Sequence, residues 1–235
     1  LYDELAALEA ETGVIFANSP TQNVGYEILS ALPKEPHERP MLSLNKTKSV
    51  EELKEWLGDQ KGLLSWKLDG LTIVLTYRDG ALYKAVTRGN GEIGEVITGN
   101  ARTFVNLPLT IAYKGELVLR GEAVIKYADF ERINQEIEDV DARYKNPRNL
   151  CSGSVRQLNS EITAKRDVNF YAFSLVKAED VDFKNSREEQ FKWLASMGFS
   201  VVEYKTATSE NIEELVREFS ENIVNNEVPS DGLVL

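Results

Sequence analysis

The run from Leu63 to Gly89, LLSWKLDGLTIVLTYRDGALYKAVTRG, constrains the fold more than any other part of the chain. Two apolar and β-branched segments, LLSWKLD and LTIVLTY, precede a turn signal, RDG at Arg78 to Gly80, and a third segment, ALYKAVTRG. Short turns of this kind reverse a chain into an antiparallel hairpin. The run therefore predicts a hairpin-rich sheet with Lys67 at its mouth.

The rest of the chain alternates strand patterns with helix patterns. ELVLRGEAVI (116–125) and VNFYAFSLV (168–176) are typical of strands, as are FSVVEY (199–204) and the closing DGLVL. KNPRNLCSGSVRQL predicts a helix with Asn146 as its cap and Pro147 in its first turn. Other helices are predicted to start near Leu1, Ser49, Ser186 and Ser209. Hairpin-dominated strands with interspersed helices predict an α+β fold rather than a doubly wound parallel sheet.

Composition narrows the class of protein. Of the 235 residues, 42% are hydrophobic and 28% are charged, which is typical of a globular chain. The longest apolar runs, such as 71–75, are far shorter than the roughly 20 residues that cross a bilayer, and no charged-then-apolar leader opens the chain. We therefore expect a soluble, cytoplasmic protein without a membrane partner.

Cysteine and histidine are too scarce to carry the chemistry. Cys151 is the single cysteine, which excludes an internal disulfide and a multi-cysteine zinc site within the chain. His37, the single histidine, lies in a loop-like segment and offers no convincing base for a nucleophile. Catalysis in this chain must therefore rely on lysine, arginine and carboxylate side chains.

The charge distribution is uneven. The net charge of −11 argues against a nucleic-acid partner, because acidic surfaces repel phosphates. Residues 143–166 nevertheless contain six basic residues against one acidic residue, a local charge of +5. This basic island is either a phosphate or polynucleotide site or a solvated face, and a solvated face is the commoner meaning of a charge run.

Lys67 is either a solubilising charge or a nucleophile. A nucleophilic lysine must lose its proton, although its reference pKa is about 10.4, and attack on phosphorus also needs cations and often a carboxylate-held Mg²⁺. The K-x-D-G pattern alone is a weak signal, and TRGNGEIG (87–94) fits either a phosphate-approaching loop or a tight turn. The side chains that could serve this chemistry are Lys67, Asp69, Arg88, Glu122, Arg148 and Arg156.

An ordered series of motifs adds to this interpretation. From NSPTQNVG onward the chain carries PMLSLNK, KLDG, TRGNGEIGE, LRGEAVI, NPRNLCSGSVRQLN, ITAKR and DGLVL. In this order they resemble the adenylation domain of bacterial NAD-dependent DNA ligases. The resemblance implies the nucleotidyltransferase fold, an α+β arrangement around antiparallel sheets. It also implies two regions: residues 1–20 as a remnant of an amino-terminal helical region and linker, and residues 21–235 as an adenylation domain truncated before its last lysine motifs.

The resemblance also implies an activity. Lys67, with Asp69 and Arg88 in the catalytic set, would attack the adenylyl phosphorus of NAD, release nicotinamide mononucleotide and hold AMP as a phosphoramide. The AMP would then pass to the 5′-phosphate of a nick in double-stranded DNA, as replication and repair require. Mg²⁺ is the implied metal, zinc belongs only to regions absent from this chain, and the protein is expected to be a monomer.

Site residues follow from the resemblance position by position. Ser43 and Leu44 are expected to line the nucleotide site, and Arg88 to reach ribose or phosphate. Glu122 is expected to hold a ribose hydroxyl or serve Mg²⁺, and Phe173 to stack on adenine. Arg148 and Arg156 are expected to contact phosphate of the nicked strand or of bound nucleotide. Each also has a structural alternative: Phe173 as core, Glu122 as an ion-pair partner and Arg156 as a surface charge on a helix.

The chain departs from the family pattern in places. Ser65 stands where the family has a glutamate beside the adenine. Ser65 is therefore expected to bind the nucleotide, and the site is expected to select adenine less strictly. Asn90 stands in TRGNG where the family has aspartate. The lysine after DGLVL and most of the helices that hold the nicotinamide half are absent, so we expect this fragment not to seal nicks. An ATP-dependent ligase or capping enzyme, and a non-catalytic nucleotide-binding relative, remain as alternatives.

Overall fold

The computed structural model describes residues 2–14, 19 and 31–235. Most of the NSPTQNVG motif and the predicted boundary between residues 20 and 21 lie outside these residues. The described helices are α1 (Tyr2–Thr12), α2 (Val50–Leu57), α3 (Thr98–Ala101), α4 (Tyr127–Glu136), α5 (Pro147–Val155), α6 (Ser160–Ala164), α7 (Arg187–Ser196) and α8 (Ile212–Asn222). The strands are β1 (Lys34–Pro36), β2 (Gly62–Leu68), β3 (Leu71–Arg78), β4 (Ala81–Thr87), β5 (Ile93–Glu95), β6 (Leu117–Val124), β7 (Asn169–Ala178), β8 (Tyr204–Ala207) and β9 (Ser230–Val234).

The larger sheet has four antiparallel strands in the order β4-β3-β6-β7. Strand β3 alternates strictly: Ile73, Leu75 and Tyr77 are fully buried in the main core, while the even-numbered residues between them, such as Thr72 and Thr76, lie on the opposite face. Side chains alternate across a strand, so one face of this sheet is apolar and packs under helices such as α5, and the other is free for polar groups.

The smaller sheet has three antiparallel strands in the order β8-β2-β9. Its apolar side chains form a second core with those of α2 and α8, in which the ring of Trp66 meets the ring of Phe219 edge to face at 4.8 Å between centroids. Strands β1 and β5 form a separate two-stranded ladder. The α+β class with antiparallel sheets is therefore confirmed.

The K-x-D-G segment is the connection between the two larger sheets. Strand β2 of the smaller sheet ends at Leu68, and β3 of the larger sheet begins at Leu71. Only Asp69 and Gly70 separate the two strands, so the lysine and the residues after it lie where the sheets meet.

Most of the predicted elements are present. Ser49, Asn146 and Ser186 each accept a hydrogen bond from a backbone N–H in the first turn of a helix, as expected of caps. The predicted strand FSVVEY is wrong in its bounds, because β8 begins only at its last residue, Tyr204. The earlier part of that segment follows β7 instead, with backbone hydrogen bonds from Ala172 to Ser200 and from Val202 to Ala172.

TRGNGEIG forms the tight turn between β4 and β5. Gly89 and Gly91 have φ angles of +57° and +97°, and a Cβ on Gly89 would lie 1.9 Å from the carbonyl oxygen of Ile93. The side chain of Asn90 accepts hydrogen bonds from the backbone N–H groups of Glu92 and Ile93. The segment is therefore a turn after a strand, and its approach to a phosphate stays a prediction.

Candidate active site

Lys67 lies near the end of the central strand of the smaller sheet. Its Nζ is 2.6 Å from Oδ1 of Asp231 on β9, and the two side chains are 43% and 41% exposed. Asp231 belongs to the DGLVL motif and lies 164 positions after Lys67. Nothing in the sequence indicates that the strand with this motif pairs with the strand that carries K-x-D-G. The pairing of β2 with β9 brings a carboxylate to the lysine, and sequence reasoning missed this residue.

Gly70 lets the connection between the sheets approach β6 closely. A Cβ at this position would lie 1.9 Å from the carbonyl oxygen of Ala123, which is shorter than any van der Waals contact. Because the backbone comes this near, the N–H of Gly70 donates to Oε1 of Glu122 at 3.2 Å. The glycine of K-x-D-G is thus required by a backbone contact, and it ties the lysine segment to Glu122.

Glu122 is the buried carboxyl of the site, at 8% exposure. Besides Gly70, the hydroxyl of Thr72 donates to Oε2 of Glu122 at 2.8 Å. Burial raises the pKa of Glu122 to about 7, although the hydrogen bonds from Thr72 and Gly70 and the charges of Arg148 and Lys67 act in the opposite direction. The two cations are therefore close enough to Glu122 to affect its charge.

Arg148 and Arg156, two of the arginines of the basic island, are ion-paired. Nη1 of Arg148 lies 3.0 Å from Oδ1 of Asp69. Arg156 donates through two nitrogens to the carboxylate of Glu95, one bond being 2.9 Å, and these bonds hold the pKa of Glu95 below its usual value. The structure brings Arg148 to the lysine segment, whereas Arg156 reaches the β4–β5 region through a carboxylate that the sequence did not single out.

Arg88 lies one strand away from Glu122. Its backbone N–H donates to the carbonyl oxygen of Thr72 at 2.9 Å, and Nη2 donates to the carbonyl oxygen of Met41 at 3.3 Å. The ring Nε2 of His37 lies 3.1 Å from the carbonyl oxygen of Arg88. Arg88 thus also holds the segment that leads to Ser43.

The remaining predicted nucleotide-binding residues are more dispersed. Ser43 and Leu44 lie in an exposed segment, with Leu44 62% exposed, and no described contact links them to Lys67 or Glu122. Ser65 is buried, and its Oγ lies 3.4 Å from the carbonyl oxygen of Val234. Phe173 is the β7 residue that the pairing register with β6 skips, and its side chain packs against the second core.

The side chains around Glu122 show whether this residue could serve the expected Mg²⁺. Within residues 2–14, 19 and 31–235, no group of three or more His, Cys, Asp or Glu side chains is placed to hold a metal. Mg²⁺ often binds through one or two carboxylates together with substrate phosphates and water. Glu122 fits such a site, because each oxygen accepts one hydrogen bond in the structure and keeps a second lone pair.

Comparison with known proteins identifies the class to which this fold and site belong. The family model for the NAD-dependent DNA ligase adenylation domain matches residues 29–235. The chain is 68% identical over its whole length to a DNA ligase of Ruminiclostridium cellulolyticum, covering 36% of that protein. It is 39% identical to a DNA ligase of Helicobacter pylori, covering 93% of this chain and 35% of the relative.

A solved structure of a putative ATP-dependent DNA ligase from Aquifex aeolicus is also similar, at 16% identity and a TM-score of 0.45. The alignment covers 93% of this chain and 56% of the chain in that structure. The sequence matches define an adenylating nucleotidyltransferase domain. The chain belongs to the family of NAD-dependent DNA ligase adenylation domains. This confirms the resemblance drawn from the motifs and disfavours the ATP-dependent and non-catalytic alternatives. The chain spans about a third of the length of these curated relatives.

Proposed function

We propose that this domain performs the adenylation step of an NAD-dependent DNA ligase, with Lys67 as the nucleophile. The amine nitrogen of Lys67 would form a bond to the adenylyl phosphorus of NAD while the bond to the phosphate oxygen of nicotinamide mononucleotide breaks. The observation that carries the proposal is the position of Lys67 at the junction of the sheets, 2.6 Å from Asp231 and joined through Gly70 to Glu122.

Asp231 is proposed to prepare the lysine. A protonated lysine cannot attack, and the nearest described carboxylate oxygen is that of Asp231. This carboxylate would orient the ammonium group before NAD binds and accept its proton as the P–N bond forms.

The nucleotide is proposed to lie between the two sheets. Glu122 would accept a hydrogen bond from a ribose hydroxyl or join Mg²⁺, Phe173 would stack on adenine, and Arg88 would contact ribose or phosphate. When bound, Mg²⁺ would neutralise phosphate charge. Ser43, Leu44 and Ser65 are proposed to line the same site. Asp69 would contribute by holding Arg148 beside the reacting phosphate.

Transfer of AMP to DNA is proposed for the longer protein. Arg148 and Arg156 would exchange their carboxylate partners for phosphates of nicked DNA or of nucleotide. The proposed substrate implies a role in DNA replication and repair in the cytoplasm, and a monomer is sufficient for it. No helix in the described part of the chain has the length and hydropathy needed to cross a membrane. We further propose that residues 1–235 alone bind AMP but do not seal nicks.

The test is the covalent state of Lys67 in the full-length ligase. Incubation with NAD and Mg²⁺ should add one AMP to the intact mass, and peptide mapping should place it on Lys67, while ATP should give no adduct. Lys67→Ala should abolish the adduct. Lys54→Ala is the matched control, because Lys54 also pairs with a carboxylate at 2.7 Å, on Glu213, in the same half of the domain. An AMP on any other lysine would overturn the proposal.

A further inference from the structure

The register between β3 and β6 places Thr72 directly opposite Glu122. The Thr72 hydroxyl donates to Oε2 at 2.8 Å, while the Gly70 N–H donates to Oε1 at 3.2 Å. Both oxygens of one buried carboxylate are therefore held by groups that follow Lys67 within five residues. The backbone donor depends only on a glycine, but the second donor depends on the identity of residue 72.

Two donors fix a carboxylate more firmly than one. With Gly70 alone, the carboxylate could rotate about its last side-chain bond and carry Oε2 away from its position, because this torsion is soft. With Thr72 as well, the plane of the carboxylate is set by two points. One lone pair on each oxygen then remains available, in a direction determined by the protein before any ligand binds.

We propose that Thr72 is a positioning residue that determines selectivity for ribonucleotides over deoxyribonucleotides, by holding Glu122 so that its free lone pairs meet the ribose hydroxyls. This inference rests on the proposed function, in which Glu122 contacts ribose. A buried acceptor aimed at a hydroxyl rejects an analogue that lacks it, because the acceptor is then left desolvated and unpaired. A carboxylate that can rotate finds other partners and loses this discrimination.

The chain provides matched variants for the test. Thr72→Val keeps the shape and the β-branching but removes the donor, and Thr72→Ser keeps the donor while removing a methyl group. Thr76→Val makes the same change on the same face of β3, opposite Val118 rather than Glu122. Glu122→Gln removes the charge of the acceptor itself.

The experiment is calorimetric titration of the 235-residue chain with AMP, 2′-deoxy-AMP and 3′-deoxy-AMP, at a pH well above the pKa of Glu122, which is about 7. For the wild type we expect a preference of roughly tenfold or more for AMP over at least one deoxy analogue, as one hydrogen bond to a charged group would give. Thr72→Val should reduce this ratio to about threefold or less, while Thr72→Ser and Thr76→Val keep it. Because each ratio is taken within one variant, a lower folded fraction does not change it.

Three results would overturn the inference. An unchanged ratio in Thr72→Val would show that Gly70 alone positions the carboxylate. A ratio lost equally in Thr72→Ser would show that packing, not the hydroxyl, matters. Equal affinities of the wild type for all three nucleotides would remove the ribose contact of Glu122 and this inference together, while AMP attached to Lys67 would still stand as the proposed function.

Discussion

At the scale of single residues, the site is a set of charges that the protein has already partnered. Lys67 has Asp231, and Glu122 has Gly70 and Thr72. A carboxylate that contacts an amine can also exchange a proton with it when a substrate arrives. Lys67 is therefore paired with a charged group that can take its proton, whereas Glu122 is held by two uncharged hydrogen-bond donors.

Replacing Asp231 by Asn should slow adenylation while AMP binding remains close to normal. Asn keeps the shape and a hydrogen-bond acceptor but cannot take the lysine proton, and a positioned acid or base contributes roughly 10²- to 10⁴-fold to a rate. Single-turnover formation of the AMP adduct by the full-length ligase measures this. Glu227→Gln, which removes the carboxylate 3.3 Å from Lys126, is the control. A rate equal to that of the wild type would show that another group takes the proton.

Glu122→Gln should change how stability depends on pH. Burial raises the pKa of Glu122 to about 7 in the folded chain, above its ordinary value of 4.5. The stability it contributes is therefore full below pH 4.5 and is lost as pH rises through 7. At pH 8 the Gln variant should be more stable, by about 3 kcal/mol, with no advantage near pH 4.

Urea unfolding across this pH range checks the prediction for Glu122. Glu116→Gln serves as a control in which the pH dependence of stability should change in the opposite direction, since hydrogen bonds from Lys177 and Arg78 lower the pKa of Glu116. Parallel stability curves for the wild type and Glu122→Gln would contradict the assignment of a raised pKa.

At the scale of elements, the connection between β2 and β3 decides how the two sheets meet. Asp69 and Gly70 are the whole connection, and the N–H of Asp69 also donates to the carbonyl oxygen of Pro229, just before β9. A connection this short leaves no room to absorb a misfit. The lysine and Glu122 therefore keep their relative positions only if Gly70 stays close to β6.

Gly70→Ala should destabilise the domain by about 3 kcal/mol or more, because the new methyl group would meet the Ala123 carbonyl within the β3–β6 ladder. Gly99→Ala is the control, since a Cβ there has no atom within 4 Å and alanine favours the helix. Urea unfolding of both variants measures the difference. An unfolding free energy of Gly70→Ala within about 1 kcal/mol of the wild type would show that the strands separate easily.

Sequence patterns predicted elements better than they predicted pairings. The alternation in LTIVLTY and the caps at Ser49 and Asn146 are local, so β3, α2 and α5 could be predicted. The FSVVEY segment was misplaced because its backbone hydrogen bonds go to β7, far away in the chain. For the same reason the partners of the site residues could not be predicted. Asp231, Thr72 and Glu95 become partners only through strand register and tertiary packing.

At the scale of the whole molecule, an acidic chain pairs half of the basic residues of its basic island with carboxylates. The net charge is −11, yet residues 143–166 carry +5. Arg148, Arg156 and Lys165 of the island pair with Asp69, Glu95 and Glu161. Under the proposed function, phosphates of DNA would compete with these carboxylates, so the acidic partners would limit the affinity for DNA as well as orient the arginines.

Glu95→Gln should therefore strengthen binding of the full-length ligase to nicked DNA, whereas Arg156→Gln should weaken it. Loss of one phosphate contact should lower the slope of log affinity against log salt by about 1 in Arg156→Gln. Salt titrations with nicked duplex measure both effects. Glu116→Gln, whose partners are Arg78 and Lys177, is the control. Weaker binding by Glu95→Gln would mean that Arg156 needs its carboxylate in order to reach the phosphate.

The buried Cys151 is a built-in chemical probe for opening of the main core of this domain. Its thiol is fully buried in the main core, with Sγ 3.1 Å from the carbonyl oxygen of Ala123, and burial raises its pKa. A thiol reagent can reach it only when α5 separates from the sheet, so the rate of alkylation counts those openings. A nucleotide that binds only the closed form should slow the reaction by the factor 1 + [L]/Kd. Because the sequence has no second cysteine, the wild-type chain reports its own opening without any engineered label.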